Sequence, residues 1–254
     1  MLRSQQVVFF DVGNVLIDDD PFLAEIFRRI HQAIPSDSPK FQVNRFLGDV
    51  ERALRVHGHQ AVDRIGYRFH GRGWLKLRKK IHDEVEQQWW HLVHAIPGSL
   101  PVLDQLHKRY RLGLIANQPP QVMDCLGDLG LLPLFDVVLL DSDYHVAKPD
   151  PTLYRLAMEQ ARIDPEDGAM VGDRLDNDII PARRLGMRAI LMWLAVDKKG
   201  WQPGDAWGER FYEILERLPT PRWDRIPPKE HPTSLVRSWD ALPIAVEEVW
   251  AAPL

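Results

Sequence analysis

FDVVLLDSDYHVAKPDPTLYRLAMEQARIDPEDGAMVGDRLDNDIIPARRLGMRAILMW, residues 135–193, decides the fold. Three short apolar runs, FDVVLL, GAMVG and RAILMW, alternate with two stretches, PTLYRLAMEQAR and NDIIPARRLG, whose apolar residues recur at helical spacing. Runs this short and this continuously apolar read as strands buried on both faces. Strands alternating with helices predict a parallel, doubly wound α/β sheet. Upstream the rhythm persists. Helix-like SLPVLDQLHKRY leads into apolar LGLIAN, and helix-like QVMDCLGDLG follows. Near the start, Val7 to Phe10 is a compact apolar run that ends at Asp11 and Gly13. Ligands of such sheets gather at the carboxyl ends of the strands. Topology alone therefore nominates Asp11, Asn117, the segment Asp141 to Lys148, and Asp173.

Between the first strand and residue 97 the pattern is different. FLAEIFRRIHQAI and WLKLRKKIHDEVEQQWWHLVHAI repeat apolar residues at helical spacing, with charge on the opposite face. Arg64, Arg68, Arg72, Arg78, Lys79 and Lys80 read mainly as a solvated helix face. The expected organisation is a core of residues 1–17 and 97–254, with a helical segment, 18–96, inserted. The tail is rich in Trp and Pro over 198–228 and holds one helix-like piece, AWGERFYEILERL. HPTSLVRSW and ALPIAVEEVW then read as a last strand and helix.

Composition narrows the function. The chain has 254 residues, 45% of them hydrophobic, enough for a sizeable core. With 36 acidic and 32 basic residues the formal net charge is −4, which gives no support to nucleic-acid binding. No stretch approaches the ~20 apolar residues that span a bilayer, and the N-terminal apolar run is too short for a signal peptide. The expectation is a cytoplasmic protein without membrane or nucleic-acid partners, and a homodimer is left open. The single cysteine, Cys125, reads as a small packed hydrophobe.

Three carboxylates, Asp11, Asp173 and Asp178, and one lysine, Lys148, fall at or near strand ends. Carboxylates converging on one crevice repel one another unless a cation is present, and a hard ion such as Mg²⁺ suits oxygen donors. An aspartate nucleophile, a divalent cation and a lysine together meet the needs of phosphoryl transfer, because they let one anion approach another.

These segments resemble the four motifs of the haloacid dehalogenase superfamily: FFDVGNVL the first, IANQ the second, AKPDP the third and VGDRLDND the fourth. Order and spacing match over about Val7 to Trp193. The resemblance implies that Asp11 is the nucleophile and that Asp11, the Gly13 carbonyl, Asp173 and Asp178 hold or orient Mg²⁺. It implies that Asn117 and Lys148 bind the phosphoryl group, with Gln118 offering an amide. The helical segment would be a cap that excludes water and selects the substrate. Dehalogenases of the superfamily usually lack the aspartate of the fourth motif's Gly-Asp pair. Gly172-Asp173 is intact, so the chain resembles the phosphatase branch, with a small phosphorylated metabolite, such as a sugar phosphate, as substrate.

Two positions depart from the pattern. The first motif usually carries an aspartate two places after the nucleophile, as general acid and base, and here that place is Gly13. The second usually carries a hydroxyl where this chain has Ala116. The loss of a proton shuttle is typically worth ~10²–10⁴-fold. Two other readings stay open: dehalogenation on the same scaffold, and a catalytically weak member that binds a phosphorylated ligand or a protein.

Overall fold

The computed structural model describes residues 5–251. Its strands in chain order are Val7–Phe10 (β1), Ile17–Asp18 (β2), His94–Ala95 (β3), Arg111–Ala116 (β4), Val137–Leu140 (β5), Gly168–Gly172 (β6), Arg188–Met192 (β7) and Ser234–Val236 (β8). Six of them form a parallel sheet in the order β5-β4-β1-β6-β7-β8, and β2 pairs with β3 in a separate ribbon. The chain builds outward from β1 to β5 on one side and from β6 to β8 on the other. The order therefore reverses at β1, where open α/β sheets bind their ligands.

The sheet is buried because its residues are apolar on both faces. Val7 and Phe9 join a core with Leu153, Tyr154 and Ala157 of the helix Pro151–Ala161. Phe10 points the other way and stacks on Trp239, with ring centroids 6.1 Å apart. The helices Ser99–His107 and Leu242–Ala251 pack against β4 and against β7 and β8, respectively. Gly113 lets β4 approach β1, since a Cβ there would lie 2.5 Å from the Phe9 ring. Asp150 caps the helix Pro151–Ala161, accepting from Thr152 N at 2.8 Å, with proline in the first turn where no backbone donor is needed. The acid of the KPDP segment is thus a helix cap.

The described chain divides into two compact units. The α/β unit contains Ala95–Lys199 with the segments up to Asp18 and from Pro221 onward. The helical unit contains Asp19–His94 and Gly200–Thr220. Residues 200–220, expected to belong to the α/β core, lie in the helical unit instead. The physical reason is the apolar face of the helix Ala206–Glu216. Phe211 and Ile214 are buried in one cluster with Phe27, Ile30, Phe46 and Trp74. Phe211 packs 5.7 Å from the Phe27 ring, Trp207 stacks on Phe211, and Arg28 pairs with Asp205 at 2.5 Å.

The expected helix over 74–96 also differs. It runs Trp74–Glu86, restarts briefly as Trp89–Leu92, and gives way to β3. Tertiary pairing wins there, with Ile96 N donating to Leu16 O at 2.9 Å. The basic face behaves as expected: Arg68 pairs with Asp49, Arg78 with Asp63 and Lys79 with Asp83. Cys125 is buried and stands outside any disulfide. Among the described residues no helix is long and apolar enough to cross a membrane.

Candidate active site

The loops after β1, β4, β5 and β6 bring the charged residues together within the α/β unit. Lys148 Nζ stands 2.7 Å from Asp11 Oδ1 and 2.7 Å from Asp178 Oδ1. All three groups are buried. An ammonium has three donors, so this one has spent two on carboxylates. Burial by itself would lower the Lys148 pKa. The charges of Asp11 and Asp178 and the bonds to them outweigh burial and raise it, so the lysine stays charged.

Asp178 is anchored on both oxygens. Oδ1 takes Lys148, and Oδ2 accepts from Arg174 N at 3.0 Å. Burial, joined by repulsion from Asp11, pushes its carboxyl up to about 6 against the pull of Lys148. Asp173 keeps some contact with solvent. Even so, the protein packed around it, then Asp178 and Asp11, hold it well above the usual carboxylate range. Carboxylate oxygens of Asp11, Asp173 and Asp178 all lie within 4.8 Å of one another. Mg²⁺ binds oxygens at about 2.0–2.1 Å, which sets its ligands roughly 3–4 Å apart. Hard oxygen donors, this spacing and a negative charge that one lysine only partly offsets fit a divalent cation. Because both Asp178 oxygens already have protein partners, Asp11 and Asp173 would be the better placed to hold such an ion directly, beside the Lys148 that Asp178 contacts.

The second-motif residues are tied to the neighbouring loops. Asn117 Nδ2 donates to Lys148 O at 2.8 Å, and Asn117 Oδ1 accepts from Lys148 N at 2.7 Å. This two-way amide clasp fixes the backbone of Lys148 and uses the Asn117 oxygen and one of its two Nδ2 hydrogens. Gln118 gives its backbone N–H to Asp141 Oδ1 at 3.0 Å. Ala116 is fully buried and brings no hydroxyl. Gly13 is buried and forms a bridge with Ile17. Asn14, one residue on, has a positive φ of 55°.

Sequence reasoning missed one cation. Lys199 Nζ donates to Asn14 Oδ1 at 2.9 Å, and its charge acts on Asp173. It lies beyond the last motif, after β7, in a segment with no periodic signal to single it out.

A parallel sheet with an aspartate after its first strand, a lysine tied to that aspartate, and two further acids after β6 defines an α/β protein with a carboxylate-centred site at the carboxyl edge of its sheet. Residues 5–186 match the family described as haloacid dehalogenase-like hydrolase. The chain belongs to that family and is a hydrolase. It is 25% identical to the phosphorylated carbohydrates phosphatase of Thermotoga maritima over 166 residues, covering 63% of this chain and 73% of the relative. It is also 25% identical to the glyceraldehyde 3-phosphate phosphatase of Pyrococcus abyssi, covering 73% of this chain and 80% of the relative. In fold it is similar to a haloacid dehalogenase-like protein of unknown function from Agrobacterium tumefaciens, with a TM-score of 0.66, 17% identity, and 96% and 98% of the two chains covered.

Proposed function

We propose that the chain is a Mg²⁺-dependent phosphatase of a small phosphorylated metabolite, with a sugar phosphate the leading candidate. The observation that carries this reading is the Asp11–Lys148–Asp178 chain of contacts at 2.7 Å, with Asp173 completing the acid cluster. The names of the phosphatase relatives point to the same class of substrate.

Asp11 attacks phosphorus through a carboxylate oxygen. The P–O bond to the ester oxygen breaks, the alkoxide leaves with that electron pair and takes a proton from water, and an aspartyl phosphate forms. Water then attacks that phosphorus, releasing orthophosphate and restoring Asp11. Bound Mg²⁺ would supply positive charge that lowers the repulsion between nucleophile and phosphate. Lys148 holds Asp11 in place and neutralises it. Asp178 keeps Lys148 directed at Asp11, and Asn117 fixes the lysine's backbone.

Gly13 offers no side chain to protonate the leaving alcohol. Substrates whose leaving group needs less protonation, such as sugar-1-phosphates and aryl phosphates, should therefore outpace simple alkyl phosphates. A phosphatase screen over sugar, nucleotide, aryl and alkyl phosphates, with and without Mg²⁺, tests both points. Phosphate release should require Mg²⁺ and fall by on the order of 10³-fold or more in Asp11→Asn. Release that survives Asp11→Asn would sink the mechanism, and equal rates across leaving groups would sink the argument from Gly13. Gly13 and Ala116 favour a second reading, a phospho-ligand binder. Ligand-induced stabilisation with no turnover of any ester would select it.

A further inference from the structure

We propose that Lys199 is a phosphate-binding residue of this site, supplying the donor and positive charge that the second motif lacks. This inference rests on the phosphatase reading and adds a residue to it. The usual donors are few. Ala116 has no hydroxyl, the Asn117 amide has given its oxygen and one of its two Nδ2 hydrogens to the Lys148 backbone, and Lys148 has given two of its three donors to Asp11 and Asp178.

Charge leads to the same conclusion. The site gathers Asp11, Asp173 and Asp178 around one lysine. One divalent cation balances that excess, and an arriving phosphate monoester then brings up to two further negative charges. Two more cations act on Asp173, namely Arg174 and Lys199. The Arg174 guanidinium is held by Asp176 at 3.1 Å. Lys199, in the loop after β7, donates to Asn14 Oδ1 at 2.9 Å, three residues beyond Asp11. The bond to Asn14 sets the ammonium beside the loop that carries Asp11, on a flexible stem able to turn one donor to an anion.

The test uses Lys199→Gln, which keeps a donor for Asn14 and removes the charge. Lys199→Arg keeps the charge. Lys198→Ala, at an exposed neighbour paired with Asp197, serves as control. Calorimetry measures orthophosphate affinity in saturating Mg²⁺, and Mg²⁺ affinity alone, beside melting temperatures. Lys199→Gln should bind orthophosphate roughly ten- to hundredfold more weakly, the range expected for a hydrogen bond between charged groups. Its Mg²⁺ affinity should hold or rise, Lys199→Arg should stay within a few-fold of wild type, and Lys198→Ala should match it.

Wild-type orthophosphate affinity in Lys199→Gln overturns the proposal and leaves Lys199 as a tether for Asn14. Wild-type protein that binds no orthophosphate overturns it as well. Ester turnover is scored separately. A lysine-dependent phosphate site without turnover removes the phosphatase reading and keeps this one, whereas turnover with lysine-independent phosphate binding does the reverse.

Discussion

Gly172 shows how little room the site leaves at the scale of one residue. A Cβ there would lie 2.3 Å from the Asp178 Cβ and 2.6 Å from Asp178 Oδ2. The closest contact is the fixed base of the aspartate rather than a flexible tip, so Asp178 itself must move. Gly172→Ala should therefore cost about 1–3 kcal/mol of stability, as overpacked cores do. It should also lower kcat by roughly tenfold or more with little change in KM, because Asp178 holds Lys148 at Asp11. Urea unfolding beside steady-state kinetics checks both, and unchanged kcat in the folded variant would remove Asp178 from the positioning chain. The sequence marks Gly172-Asp173 as a motif. It does not say that the glycine is needed because an aspartate six residues on packs against it.

Among elements, the helix Ala206–Glu216 is the instructive one. Its amphipathic pattern announces a buried face, and helical spacing says nothing about which surface covers that face. The structure buries Phe211 completely, among the aromatic residues of the helical unit. Phe211→Ala should cost about 3–5 kcal/mol, the range for deleting a buried aromatic ring. Thermal or urea melts measure it. A loss under about 1 kcal/mol would show that this helix adds little to the helical unit. The strands were easier to read. Val7–Phe10, Val137–Leu140 and Gly168–Gly172 are apolar runs that each end at an aspartate, Arg188–Met192 is a fourth apolar run, and each is a strand of the sheet. The stretch 87–96 was not legible, because its helical pattern is overridden by pairing of β3 with β2.

For the molecule as a whole, the acid cluster ties stability to pH and to metal. Without a bound cation, burial and mutual repulsion raise Asp178 to about 6, against about 3.9 for an unfolded aspartate. For an acid raised in this way the fold favours the protonated form. Its contribution is present below about pH 4 and is lost as pH climbs through about 6. Asp173, raised well above its usual value, acts in the same direction. Mg²⁺ takes the place of the proton, so the rise in Tm on adding Mg²⁺ should be small at pH 5 and grow towards pH 7.5. Melts with MgCl₂ and with EDTA across that range test it. An increment as large at pH 5 as at pH 7.5 would show that these acids do not hold the metal.

Local patterns determined much of this protein. The alternation of apolar runs and helical stretches specifies the parallel sheet, and its strand ends nominate Asp11, Asn117, Lys148 and Asp173. Periodicity reports burial over neighbouring turns and pleats, and that is encoded within a few residues. Tertiary structure alone decided that 200–220 packs with the helical unit, that the Asn117 amide clasps the backbone of Lys148, and that Lys199 reaches Asn14. Those contacts join residues far apart in the chain, 185 positions for Lys199 and Asn14. No local spacing can encode such a partner, because it exists only once the sheet order has set one loop beside another.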